Sequence, residues 1–196
     1  MTRRRAALTF SLAAFAGLAP RARAAEPSPQ AIAKVSELGG LALEIAQKDP
    51  RMDVSFRGAD KLEDSDLAVL KELGDVVYLR LGSTPVGDAG MDYVAPLTGL
   101  IKLSLEKTKI TDAGLAKLEG LTNLEYLNIY GDEVTDAGLE HLSGMKKLKH
   151  LYVWQTKVTD AGVEKLQKAL PEVKIDRGWE LPASETDKAK EASESK

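Results

Sequence analysis

Five aspartates, Asp64, Asp88, Asp112, Asp136 and Asp160, stand 24 residues apart. Carboxylates can act as general acids, bases or metal ligands, but that work needs partners converging on one point. Here the acids are strung out, the last three each inside a Thr-Asp-Ala-Gly box. Thr111, Thr135 and Thr159 stand where an N-cap hydroxyl accepts a bond from a first-turn N–H. Asp112, Asp136 and Asp160 follow at the first helical position, where negative charge meets the positive end of the helix dipole. This reads the aspartates as structural. The two histidines, His141 and His150, are the other candidates. His141 falls on a helix surface and reads as solvated; His150 could pair with Glu106, yet no serine or thiol nucleophile is placed beside it. Ligands at metal-binding spacing do not occur, and Gly90, Gly114, Gly138 and Gly162 follow the 24-residue step rather than a phosphate loop. No enzymatic activity, metal or cofactor is expected.

The elements that carry these residues change period inside each unit. Leu115, Leu118 and Leu121 are three apart, which suits one face of a short helix. Leu127 and Ile129 then alternate with other residues, the period of a half-buried strand. A helix in every crossover makes the strands parallel. Val134 with Leu139, and Val158 with Val163, have the spacing of a hydrophobic staple. The repeated glycine is poor in a helix and is read as letting a neighbouring turn approach. Self-similarity at such a step means stacked units, and four to five of them exceed the minimum of about three for a stable stack.

With Leu79/Leu81, Leu103/Leu105, Leu127/Ile129 and Leu151/Val153 turned inward, their neighbours face outward in rows. One row is Tyr78, Lys102, Tyr126, His150; the next is Arg80, Ser104, Asn128, Tyr152; the third is Gly82, Glu106, Tyr130, Trp154. Core packing does not explain four of the five tyrosines on one outward face, whereas binding patches use large, stiff rings beside Arg and Asn. The candidate partner-binding residues are therefore Tyr78, Arg80, Lys102, Glu106, Tyr126, Asn128, Tyr130, His150, Tyr152 and Trp154. The competing reading is cross-strand support of the sheet, about 0.2–1 kcal/mol per pair.

Residues 62–181, with TDAGLAKLEGLTNLEYLNIYGDEV as their clearest unit, resemble the leucine-rich repeat family in the TDAG-type version common in bacterial exported proteins. The resemblance implies an α/β fold: a short right-handed solenoid arc with parallel strands on the concave side and helices on the convex side. It also implies binding of a protein partner. A glycan or cell-envelope ligand, with Tyr130 and Trp154 as stacking platforms, and a structural spacer are the alternatives.

The ends complete the plan. Residues 1–25 read as a signal peptide: Arg3, Arg4 and Arg5, an uncharged stretch Ala6–Ala19 too short to span a bilayer, and Ala22-Arg23-Ala24 before the cut. Export to the periplasm or medium follows, by the Sec or twin-arginine route. Removing the signal's five arginines leaves 22 basic against 30 acidic residues, a net of −8, which disfavours nucleic acid and anionic membrane as partners. Cysteine is absent, so there is no disulfide or lipid attachment site. Residues 26–61 read as a linker, an N-terminal capping helix interrupted at Gly39-Gly40, and a first irregular strand at Val54 and Phe56. Arg177 stands at an apolar position of the decaying fifth unit, and Trp179 and Leu181 are read as covering the open end of the core. Residues 182–196, without an apolar side chain larger than Ala, read as a disordered tail. A monomer is expected.

Overall fold

The structure is a computed structural model, and it describes residues 27–47 and 49–178. The signal-peptide segment, the end-covering residues Trp179 and Leu181, and the tail lie outside them. Helix α1 (Pro29–Glu37) starts from Ser28, whose hydroxyl accepts the Ala31 N–H, and Pro29 needs no donor there. Strands β1 (Leu41–Ala46) and β2 (Asp49–Ser55) follow, then a 3₁₀ helix (Asp64–Glu72). Beyond it strands and short helices alternate: β3 (Val76–Arg80), α2 (Met91–Val94), β4 (Lys102–Ser104), α3 (Asp112–Lys117), β5 (Tyr126–Asn128), α4 (Asp136–Glu140), β6 (His150–Tyr152), α5 (Asp160–Ala169) and β7 (Lys174–Asp176).

Among the described residues the seven strands form one sheet in chain order. From β2 onward every pairing is parallel, as the helical crossovers require. The first pairing departs from that expectation, because β1 runs antiparallel to β2 with Leu41 opposite Ser55. No helix separates these strands, so the chain reverses in a tight turn. The residues after Gly39-Gly40 are thus a strand, and the helix of this segment ends at Glu37. Leu41 and Leu43 stay exposed on the sheet, while Ala31 and Val35 of α1 are buried in the core.

One continuous core joins the units. Leu79, Leu103, Leu127 and Leu151 of the strands, and Leu115, Leu118, Leu139 and Leu142 of the helical segments, are buried in a single cluster. Val134 and Val158 belong to it, and Val163 packs on its edge.

The repeated Thr, Asp and Gly form a bond between units as well as within them. Thr111 and Thr135 accept the N–H of Ala113 and Ala137, the expected N-caps, and Thr159 accepts that of Gly162. The aspartates do more than face a helix dipole. Asp88 accepts the Thr111 N–H at 2.8 Å on one oxygen and its hydroxyl at 2.7 Å on the other. Asp112 does the same to Thr135, and Asp136 to Thr159. These bonds hold the Asp136 carboxyl below its ordinary value. Asp64 accepts only the Gly87 N–H, because unit two lacks the threonine. Asp160 has no following unit and pairs with Arg177. Gly90, Gly114, Gly138 and Gly162 are the counterparts: a Cβ at any of them would collide with the preceding unit's aspartate. The glycine does admit a neighbour, and the neighbour is that carboxylate.

A second periodic feature follows the strands. Ser83, Lys107, Gly131 and Gln155, also 24 apart, all take positive φ, from 54° to 75°. Only one of the four is Gly. The left-handed region costs a side-chain-bearing residue about 1–2 kcal/mol, partly offset by glycine's greater entropy loss.

Two outcomes are expected. Asp112→Ala leaves the Thr135 donors without their acceptor and should lower unfolding free energy by about 1–3 kcal/mol. Gly138→Ala should do likewise through its clash. Urea titration of the double variant should show less than the summed loss, by about 1 kcal/mol, because one side of the clash is gone. Gln155→Gly should raise the urea midpoint, since it relieves a left-handed residue.

Candidate functional site

The open face of the sheet carries the three expected rows, because parallel pairing without register shift puts residues 24 apart side by side. Tyr78, Lys102, Tyr126 and His150 are in register, and Lys174 extends the row. Arg80, Ser104, Asn128 and Tyr152 are the next, extended by Asp176. Beyond the strand ends Tyr130 stacks on Trp154, centroids 5.0 Å apart and planes at 21°. Tyr126 meets Tyr152 across the rows at 5.2 Å, and burial is the largest cause holding the Tyr126 hydroxyl's pKa above its ordinary value.

The candidates divide into those that remain open and those consumed by the fold. Arg80 makes a two-pronged pair with Asp53 of β2, at 2.5 and 3.1 Å. Glu106 was expected on the outward face, but it is a buried carboxylate folded over Gly82. It accepts the Ser104 hydroxyl and the Asn128 amide, and Arg57 lies 3.5 Å away. Burial with these partners explains why it does not pair with His150. Asn128 is spent between Glu106 and the Tyr130 N–H. His150 is exposed and makes no side-chain hydrogen bond among the described residues. His141, read as a solvated helix-surface residue, keeps 35% of its side chain exposed and pairs with Glu119 of the preceding unit.

The aromatic faces are also occupied in part. Lys107 sits over Tyr130 at 5.3 Å, Tyr130 stacks on Trp154, and Gly178 lies against the five-membered ring of Trp154, where a Cβ would meet Cγ, Cδ1 and Nε1. Lys102 sits over Tyr78 at 5.0 Å. A broad groove of about 760 Å³ runs beside Tyr126, Asn128, Tyr152, Trp154 and Asp176. Its lining is mainly the apolar surface of these rings, with Asn128 and Asp176 as polar points.

Asp132 escaped the sequence reading. It stands at the position where other units have Thr84, Thr108 and Thr156, and it is buried. One oxygen accepts the Thr108 N–H at 2.7 Å and its hydroxyl at 3.1 Å; the other has no partner among the described residues. Burial raises its pKa to about 7, nearby Glu106 adds to the rise, and the Thr108 bonds oppose it. The only available signal was an acid breaking a column of threonines. A folded-state pKa above the unfolded one means that stability is greatest below about pH 4 for this group and is lost as pH rises to about 7. Asp132→Thr should abolish that slope and stabilise the chain at pH 8 by about 2–4 kcal/mol, measured by urea unfolding across pH.

Comparison with known proteins finds no matching family model and no matching curated protein. Similar solved structures include an LRR protein of Leptospira interrogans, at 19% identity and TM-score 0.44, over 56% of this chain and 27% of that one. Internalin C2 of Listeria monocytogenes is similar at 21% identity and TM-score 0.44, over 63% of this chain and 69% of its own. The Drosophila melanogaster SNF/U2A′ complex contains a chain similar at 17% identity and TM-score 0.48, over 84% of this chain and 90% of that one.

Proposed function

We propose that this chain is an exported, non-catalytic leucine-rich repeat module of the TDAG type that binds another protein through the concave, aromatic-rich face of its sheet. The observation that carries the reading is the in-register row Tyr78–Lys102–Tyr126–His150, flanked by Tyr152 and Trp154. Rings and cations are interleaved there on a face that the described residues leave uncovered, and such mixed patches supply binding anchors. The solenoid is right-handed, with α1 and the first hairpin closing the N-terminal end of the core. The signal, residues 1–25, is removed on export to the periplasm or medium, and the mature chain is a monomer. Support for the family comes from the 24-residue repeat and its Asp–Thr–Gly bonds.

The glycan alternative is weaker, because sugar rings stack on free aromatic faces. Tyr130 and Trp154 have theirs partly taken up by Lys107, each other and Gly178, while Trp154 stays exposed in part. The test is affinity capture from envelope extract with the mature chain beside a Tyr126→Ala/Tyr152→Ala/Trp154→Ala variant. The variant should fold, retaining its circular dichroism, and lose at least about tenfold of the captured protein. Equal capture by both chains would sink the assignment to this face.

A further inference from the structure

We infer that the open face of the sheet takes an extended acidic peptide segment laid across strands β4 to β7, a reading that rests on the protein-binding function proposed above. The argument begins with charge. Of the carboxylates on this face, Asp53 is ion-paired with Arg80, Glu106 is bonded to Ser104 and Asn128 with Arg57 3.5 Å away, and Asp176 keeps its charge while accepting the Gly178 N–H at 2.7 Å. The ammonium groups are not neutralised in return. Lys102 rests on the Tyr78 ring, Lys107 on the Tyr130 ring, and Lys174 is exposed. None of the three has a carboxylate at ion-pair distance among the described residues. A chain of net charge −3 therefore presents a locally cationic face, so charge complementarity selects an anionic partner.

Spacing then narrows the partner. Lys102 and Lys174 occupy one row, three strand steps apart, which is about 14 Å at ~4.8 Å per step. An extended peptide rises about 3.4 Å per residue and turns alternate side chains to the same side, so residues i and i+4 also stand about 14 Å apart on one side. Two carboxylates at i and i+4 match the two lysines. Residue i+2 then falls over the Tyr126–Tyr152 pair, which favours an apolar side chain there.

The test is isothermal titration of the mature chain, at low ionic strength, with two capped heptapeptides of equal composition, Gly-Glu-Ser-Leu-Ser-Glu-Gly and Gly-Ser-Glu-Leu-Glu-Ser-Gly. An oligogalacturonate serves as the glycan arm. The first peptide should bind about tenfold tighter than the second, and Lys102→Glu or Lys174→Glu should each weaken it about fivefold. Both lysines are exposed, so their replacement leaves the core intact. Equal binding of the two peptides, no effect of either charge reversal, no binding of either peptide, or binding of the oligogalacturonate alone would each overturn the inference. If envelope capture nevertheless depends on Tyr126, Tyr152 and Trp154, the binding module stands and only the acidic-peptide chemistry falls. If capture is also independent of them, the face itself is wrong.

Discussion

The structure depends on a carboxylate that reaches from one unit to the next and on the glycine that makes room for it. Asp112 binds both the backbone and the hydroxyl of Thr135, while Gly138 leaves the space its oxygen fills. The same threonine caps its own helix, so one side chain fixes the start of a helix and its distance from the helix before. Apolar stacking alone is non-directional and would tolerate sliding between units. Two charge-assisted bonds at each of three junctions, and one at the Asp64 junction, remove that freedom, because a slip by one residue would bury donors without acceptors.

Fixed junctions make the sheet a ruler. Once each helix start is locked to its predecessor, residues 24 apart must be neighbours, and the surface inherits that order. The pairs Glu125–Lys149, Glu133–Lys157 and Glu140–Lys165 show it on the exposed surface, each joining adjacent units across 24 or 25 residues. Individually such exposed pairs contribute little, about 0–1 kcal/mol. Their opposite signs still matter, since like charges in the same column would oppose the stacking that the aspartates enforce. Asp132 shows what happens when a column is broken. An acid in a threonine's place keeps one bond set to Thr108 and leaves its second oxygen buried without a partner among the described residues.

The rows of the open face were legible in the sequence for the same reason: with a strict period and parallel strands, the sequence offset is the spatial neighbour. Tyr126 beside His150 and Tyr130 on Trp154 needed nothing more. The direction of β1 was less legible, although the chain between Leu41 and Val54 has no room for a helix, and a short connection implies reversal. The role of the aspartates was hidden because an acid at a helix start already has a sufficient local explanation, and its true partner lies 23 residues away. Glu106 misled because strand alternation reports which way a residue starts, not where a long side chain ends. The empty space over Gly82, its neighbour in the row, was the clue that it could fold down.

That same economy of space shapes what the face can recognise. A solenoid this thin has few layers in which to hide polar groups, so its carboxylates are used inward, by Arg80, Arg57, Ser104 and the backbone. Its aromatic faces are used sideways, stacked between units as Lys107, Tyr130, Trp154 and Gly178 are. What remains toward solvent is the exposed part of Trp154 and the ammonium groups of Lys102, Lys107 and Lys174, at intervals set by the strand spacing. Such a surface offers a spacing of charges more than the shape of a pocket, and the interval is dictated by the bond between Asp and Thr that holds the units in step.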